Sequence, residues 1–246
     1  MPDYQTLPLH SSKKLGDKYI RFSVKDAQLA VQCKPGMFFE VKADLPSQAE
    51  RLFKPLSIYG TRDGEIFFLV KVIGAGTAAL ASLEKGSSIK LIGPLGNSFP
   101  LVKDSSVLLV SGGVGYPPMA WLKEVLEADN EVFLLHGGAC LDDIFPCDEA
   151  YTIDGSKGRK GLVTDGVREI ISSRGIDLVY GCGPVPMLRA LSVVVENIPL
   201  HVSLEAYMAC GIGVCHGCAV PVGEGYKMVC ADGPVFNAAD IRWGEM

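Results

Sequence analysis

Four cysteines near the C-terminus carry the clearest chemistry in the chain: Cys210, Cys215, Cys218 and Cys230, in the segment AYMACGIGVCHGCAVPVGEGYKMVC. The spacing is C-x4-C-x2-C, followed by a fourth cysteine beyond an eleven-residue loop. That is the plant-type ferredoxin arrangement, in which four thiolates hold a [2Fe–2S] cluster. Gly211, Gly213 and Gly217 lie between the first three. Glycines let the backbone wrap tightly and aim amide N–H groups at cluster sulfurs. A four-cysteine zinc site usually has two C-x2-C knuckles, and only Cys215 and Cys218 make one here. Disulfides require an oxidising compartment, whereas the N-terminal stretch lacks the apolar core of a signal peptide. The other cysteines, Cys33, Cys140, Cys147 and Cys182, show no ligand spacing.

A cluster that moves single electrons needs a scaffold able to exchange electrons with it. The chain has 246 residues, enough for two domains or for one domain and a small appendage, and 48% of them are hydrophobic. The net charge of −5 and the lack of a basic run argue against nucleic acid as a partner. No stretch approaches the roughly 18 consecutive apolar residues of a membrane span. The expected location is cytoplasmic.

The first hundred residues read as short strands, at 18–24, 36–43, 65–73 and 88–96, separated by Gly- and Pro-containing turns. This predicts an antiparallel barrel or sandwich. One helix is expected over 76–86, with Thr77 at its start and Gly86 as its stop. Lys54, Pro55, Leu56 and Ser57 place a cation, a rigid ring and a hydroxyl on one extended stretch, which suits a flat polar ring and a phosphate but equally a plain strand. Gly74-Ala75-Gly76-Thr77 leads into the helix and would offer free N–H groups to an anion. The segment 93–100, rich in turn formers, reads as a linker.

From about residue 103 the pattern changes. A continuous apolar run, Val107 to Val110, ends in Ser111-Gly112-Gly113-Val114-Gly115, and Pro117 and Pro118 open a helix. Further strands are expected at 131–138, 150–154 and 177–183, then a helix over 186–197. This alternation predicts a doubly wound parallel sheet, whose ligands bind beyond the carboxyl ends of its strands. The glycine turn at 112–115 is shorter than the G-x-G-x-x-G fingerprint, so either a nucleotide or a tight structural turn explains it. Cys182-Gly183-Pro184 ends a second strand and leaves room for a flat ring.

Together these segments resemble the ferredoxin reductase-like flavoproteins. With the four-cysteine element added, the chain resembles the electron-transfer subunits of the NAD-dependent class of dihydroorotate dehydrogenase. The most specific parts are Ser203-Leu204-Glu205, the cysteine segment from Met208, and Val229-Cys230-Ala231-Asp232-Gly233-Pro234-Val235-Phe236. The resemblance implies three parts: an FAD-binding antiparallel β-barrel (1–101), an NAD(P)-binding α/β domain (102–203) and a [2Fe–2S] subdomain (204–246). It implies FAD along Lys54, Pro55, Leu56 and Ser57 on one side and Leu69, Val70 and Lys71 on the other, with Gly76 and Thr77 at the pyrophosphate. It implies NAD across Gly112, Gly113, Gly115 and Pro118, the nicotinamide near Cys182, Gly183 and Pro184. Electrons would pass between NAD(H), FAD and the cluster, and from there to or from an FMN-containing dihydroorotate-oxidising subunit, in a heterotetramer. The family pattern has arginine where this chain has Lys54, so a bidentate fork becomes a point charge. Lys157, Arg159 and Lys160 leave NADP(H) open, while Asp154 suits a ribose diol. The same module could serve another complex, such as a ferredoxin–NADP oxidoreductase, a sulfide dehydrogenase or a hydrogenase. A zinc-stabilised interaction module on a nucleotide-binding scaffold is the alternative of a different class.

Overall fold

A computed structural model describes residues 4–45 and 52–246. The N-terminal unit contains β1 (Gln5–Leu15), β2 (Tyr19–Lys25), α1 (Ala27–Ala30), β3 (Phe38–Ala43), β4 (Lys54–Ser57), β5 (Gly60–Arg62), β6 (Glu65–Lys71), α2 (Ala75–Ala81) and β7 (Ser88–Leu95). Its seven strands run in the order β4-β3-β7-β1-β2-β6-β5, with every pairing antiparallel. The two edge strands, β4 and β5, are joined by only Ile58 and Tyr59, so the sheet must curl round on itself. Ile58 N–H donates to Met37 O (3.1 Å) and Tyr59 N–H to Phe67 O (2.8 Å), which stitches the closure. This is the expected barrel.

Alternation along the strands fills it. Ile20, Phe22 and Val24 on β2 face Ile66, Phe68 and Val70 on β6, and all six are buried. Phe22 stacks on Phe68 at 5.1 Å and Phe39 meets Phe68 edge-on at 5.8 Å. Each such aromatic contributes roughly 1.5–3 kcal/mol through burial. Strand β1 lies outside the sequence expectation because its segment is polar, contains Pro8 and buries little besides Leu9. Helix α2 stops at Ala81, short of Gly86. Thr77 lies in its first turn, where Oγ1 accepts the Ile73 and Gly74 N–H groups (2.9 and 3.2 Å).

The second unit contains β8 (Ser106–Gly112), α3 (Tyr116–Leu126), β9 (Glu131–Gly138), β10 (Glu149–Thr152), β11 (Arg159–Lys160), α4 (Val167–Arg174), β12 (Leu178–Cys182), α5 (Val185–Val195) and β13 (Leu200–Ser203). The strand order is β11-β10-β9-β8-β12-β13, all parallel. The chain grows outward from β8 in one direction, then returns to add β12 and β13 on the other side. The order therefore reverses between β8 and β12, where open sheets of this type form a crevice. Val107 to Val110 are fully buried, as a strand covered on both faces requires.

The tail adds a hairpin, β14 (Ala219–Val222) with β15 (Gly225–Met228), and β16 (Val235–Asn237), which joins β13 antiparallel at the edge of the same sheet. The turn after β7 is more than a linker. Asn97 Nδ2 donates to Asp232 O and Val235 O (3.2 and 2.9 Å), and its Oδ1 accepts Val235 N–H (2.9 Å). One side chain thus ties the barrel's exit to the cysteine segment.

Candidate functional site

A cleft of about 490 Å³ opens between the barrel, the end of β12 and the segment leading to the cysteines. Edge strand β4 presents Lys54, Pro55, Leu56 and Ser57 to it, and β6 presents Leu69, Val70 and Lys71. Thr77 and Pro184 also line it, so nine of the predicted residues meet in one space. From the glycine turn, Val114 and Pro117 reach the cleft, whereas Pro118 is buried in α3.

The predicted glycines shape the walls from behind. A Cβ on Gly112 would lie 2.5 Å from Met187 Sδ, one on Gly115 would overlap the Cys182 carbonyl, and one on Gly183 would sit 2.8 Å from Met187 Cε. They let the starts of α3 and α5 close on the strand ends. Gly113 differs: its φ is +53° and a Cβ there would meet nothing within 4 Å among the described residues. Gly76 is buried within α2, and Cys182 is buried at the β12 end, where burial pushes its thiol well up.

Sequence reasoning singled out Ser203-Leu204-Glu205 and the segment from Met208 as motifs but gave them no place in the cleft, of which they form the third wall. Ser203, Leu204, Glu205, Tyr207 and Met208 run along the cleft from β13 toward Cys210. Glu205 keeps an exposed edge, yet the protein packed around its carboxyl raises its pKa. The available signal was positional: a segment between the last parallel strand and a metal-type loop has to cross the ligand end of the sheet.

Behind the cleft, a buried polar network joins barrel to α/β sheet. Asp143 Oδ1 accepts from Lys71 Nζ (2.6 Å) and from the Tyr19 hydroxyl (2.7 Å), and Oδ2 accepts Ala139 N–H (3.2 Å). Burial works against the carboxylate, but Lys71 and Tyr19 hold Asp143 below the usual range. Lys71 thus lines the cleft with its ammonium already engaged.

The four cysteine sulfurs stand as two pairs. Cys218 Sγ lies 3.3 Å from Cys230 Sγ, and Cys210 Sγ accepts the Cys215 N–H at 3.4 Å. Among the described residues, no three His, Cys, Asp or Glu side chains converge on a point suited to a single ion. Backbone amides point at the sulfurs: Gly213 N–H to Cys230 (3.0 Å) and Gly217 N–H to Cys215 (3.4 Å). Burial opposes ionisation of Cys210, yet the amides of Ile212, Cys215 and Val214 bring its thiol down to about 6. Burial and the neighbouring Cys218 push Cys230 up to about 12. The loop is wound by glycines at φ +67° (Gly211) and +81° (Gly213). Gly211 rests against Glu40 of β3, a carboxyl that is 1% exposed and pushed up to about 7, chiefly by burial.

Comparison with known proteins agrees with this layout. Residues 7–99 match the oxidoreductase FAD-binding domain, and residues 205–242 match the iron-sulfur cluster binding domain of dihydroorotate dehydrogenase B. The chain is 37% identical, over 84% of its length and 86% of the relative's, to the dihydroorotate dehydrogenase B (NAD(+)) electron transfer subunit of Caldanaerobacter subterraneus subsp. tengcongensis. The chain belongs to the dihydroorotate dehydrogenase B electron-transfer subunit family. It is also 35% identical to the subunit of the same name from Geobacillus kaustophilus, covering 96% of this chain and 98% of that one. Among solved structures, a chain from work on the NADH-dependent reduced ferredoxin-NADP oxidoreductase superposes with a TM-score of 0.87. It is 26% identical and covers 100% of this chain and 92% of that one. A ferredoxin NADP+ reductase from Neisseria gonorrhoeae shares the fold at 13% identity, with a TM-score of 0.66 over 79% of this chain and 91% of that one.

For a dihydroorotate dehydrogenase B electron-transfer subunit, the barrel is the FAD-binding part and the tail the iron–sulfur part. The donor set fits a [2Fe–2S] cluster: two thiolates for each of two irons, cradled by amides and by glycines that leave no room for side chains. A Cβ on Gly213 would stand 2.9 Å from Ala231 Cβ. In this family member no helix is long and apolar enough to cross a membrane, among the described residues.

Proposed function

We propose that this chain transfers electrons between NAD(H) and an FMN-containing dihydroorotate dehydrogenase catalytic subunit, in a cytoplasmic heterotetramer of two chains of each kind. The observation that carries this reading is the single cleft lined by β4, by the end of β12 and by the segment running to Cys210. When bound there, FAD exchanges hydride with a nicotinamide and single electrons with the cluster.

The chain's own residues bind, orient and insulate. Lys54 supplies a cation on β4. Pro55, Leu56, Leu69 and Val70 give the cleft flat apolar walls, and Ser57 adds a hydroxyl. Lys71 keeps its position through Asp143. Gly76 and Thr77 lie toward the pyrophosphate end. Gly112, Gly113 and Gly115 form the turn across which NAD is held, backed by Pro118 buried in α3, and Gly183 and Pro184 stand beside the nicotinamide with Cys182 buried behind them. Cys210, Cys215, Cys218 and Cys230 hold the cluster, and exposed Tyr207 and Val214 flank it toward a partner. Arg159 supports NAD over NADP: its guanidinium is taken by Glu149, Glu169 and Tyr151 at 2.8–2.9 Å. Asp154 nearby, its Oδ1 accepting from the Ser156 N–H and hydroxyl (2.9 and 2.6 Å), is better suited to a ribose diol than to a phosphate.

Anaerobic titration of the purified chain tests the scheme. NADH, far better than NADPH, is expected to bleach the flavin band. Cys215→Ala should lose the iron, about two per chain in the parent, yet keep the bleaching by NADH. Loss of flavin reduction together with the iron, or equal use of NADPH, would overturn it.

A further inference from the structure

Glu40 has no part in the scheme above. It lies on β3 between Phe39 and Val41, both fully buried in the barrel. Strand alternation therefore turns its side chain to the opposite face. That face is dry as well, and among the described residues neither Glu40 carboxyl oxygen has a hydrogen-bond partner. Buried polar groups are nearly always paired, so an orphan carboxyl calls for an explanation outside the barrel's own packing.

Its neighbours supply one. Across the β3–β4 pairing Glu40 stands opposite Pro55, which lines the cofactor cleft. On its other side the cysteine loop passes so close that a Cβ on Gly211 would lie 2.5 Å from Glu40 Cγ and 2.9 Å from Oε1. Gly211 directly follows Cys210. The charges facing the carboxyl are Lys54 on β4 and Cys210 on the loop, while β7 presents only Ile92 in register. The carboxyl thus occupies the strip of protein between the flavin cleft and the cluster loop.

We propose that Glu40 sets the reduction potential of the [2Fe–2S] cluster, its negative charge making an added electron less stable there and so poising the exchange with the flavin. The inference rests on the four cysteines being the cluster ligands. Charge, hydrogen bonding and burial around such clusters are the main levers on their potential. In a water-poor strip a full charge acts with little screening.

The test is a potentiometric titration of the cofactor-loaded protein at about pH 8.5, followed by the electron paramagnetic resonance signal of the reduced cluster. Glu40→Gln keeps the shape and removes the charge. It is expected to raise the potential by about 59 mV, a tenfold change in a one-electron equilibrium. Glu40→Asp retains the charge and should stay close to the parent. An unchanged or lowered potential in iron-replete Glu40→Gln overturns the proposal, as does an equal shift in the Asp variant. If Glu40→Gln fails to hold iron, Glu40→Met makes the same comparison. Loss of iron in both, with the Asp variant loaded, overturns the proposal in favour of a structural role. A parent protein with no iron signal refutes the ligand assignment instead.

Discussion

Two buried carboxyls stand at the two seams of the barrel, and their surroundings are opposite. Asp143, at the seam with the α/β sheet, is met by Lys71, Tyr19 and the Ala139 amide. Glu40, at the seam with the cysteine loop, is met by no donor among the described residues. Asp143 is held ionised below the usual range, while burial pushes Glu40 up to about 7. The contrast separates two ways a protein treats a buried acid. A carboxylate with three donors is a fastener that sets one domain against another. An acid left unpaired keeps its influence for something nearby, a pattern that clusters at functional sites.

The strongest way to break that contrast is to remove each acid and compare stability. Asp143→Ala leaves the Lys71 ammonium and the Tyr19 hydroxyl without their acceptor. Breaking such a pair typically costs about 3–5 kcal/mol. Because Lys71 remains 28% exposed and can recover water, the lower end is expected, about 3 kcal/mol. Glu40→Gln loses no donor, so its stability should stay within about 0.5 kcal/mol of the parent or rise. Denaturant unfolding of both variants, cofactor-loaded, decides the matter. Similar losses in the two would show that the seams are held alike.

Gly211→Ala sharpens the same comparison at a smaller scale. The residue sits at φ +67°, where a Cβ costs roughly 1–2 kcal/mol, and that Cβ would press on Glu40 Cγ. A loss of about 2 kcal/mol is expected. In a Glu40→Ala background the clash disappears and only the backbone strain remains, so the cycle should show coupling of about 0.5 kcal/mol or more. Strict additivity would mean that the loop does not rest on Glu40.

What could be read from the chain beforehand follows how local each signal is. The cysteine quartet was legible because three of its members lie within nine residues and their spacing is itself the chemistry. Strands β2, β3, β6 and β7 were legible from alternation, and the start of α3 from Pro117 and Pro118. Strand β1 was not, since one buried leucine on a polar strand leaves no period to detect. Short helix α4 buries only Val167 and Ile170, too few for a helical stripe. Lys71 was expected along the flavin, and it does line the cleft. Its engagement by Asp143, 72 residues away, depends on two domains docking and leaves no local trace. Glu40 reads as an ordinary strand residue until the loop over it is known.

The smallest effect concerns pH and the far end of the Asp143 seam. His136 is fully buried, with Nδ1 2.9 Å from Ser111 Oγ and Nε2 2.9 Å from Asp143 O. A carbonyl can only accept, so Nε2 carries the proton and Nδ1 accepts from the serine hydroxyl. The ring is neutral, and burial lowers its pKa from 6.5. Below that value the unfolded chain binds a proton that the folded chain refuses, so His136 destabilises the fold as pH falls, by at most about 1.4 kcal/mol per unit. Above it, the contribution is flat. Glu40 has the opposite sign: its raised value makes stability fall as pH climbs from 4.5 toward about 7. Total stability therefore mixes the two, and the difference between the parent and His136→Gln isolates one. That difference should be constant above about pH 7 and shrink as pH drops from about 6.5 to 5.5. A constant gap across the whole range would mean that the folded protein protonates His136 as readily as the unfolded chain does. The Asp143 carbonyl and Ser111 would then face an imidazolium, and the seam would be less dry than its burial indicates.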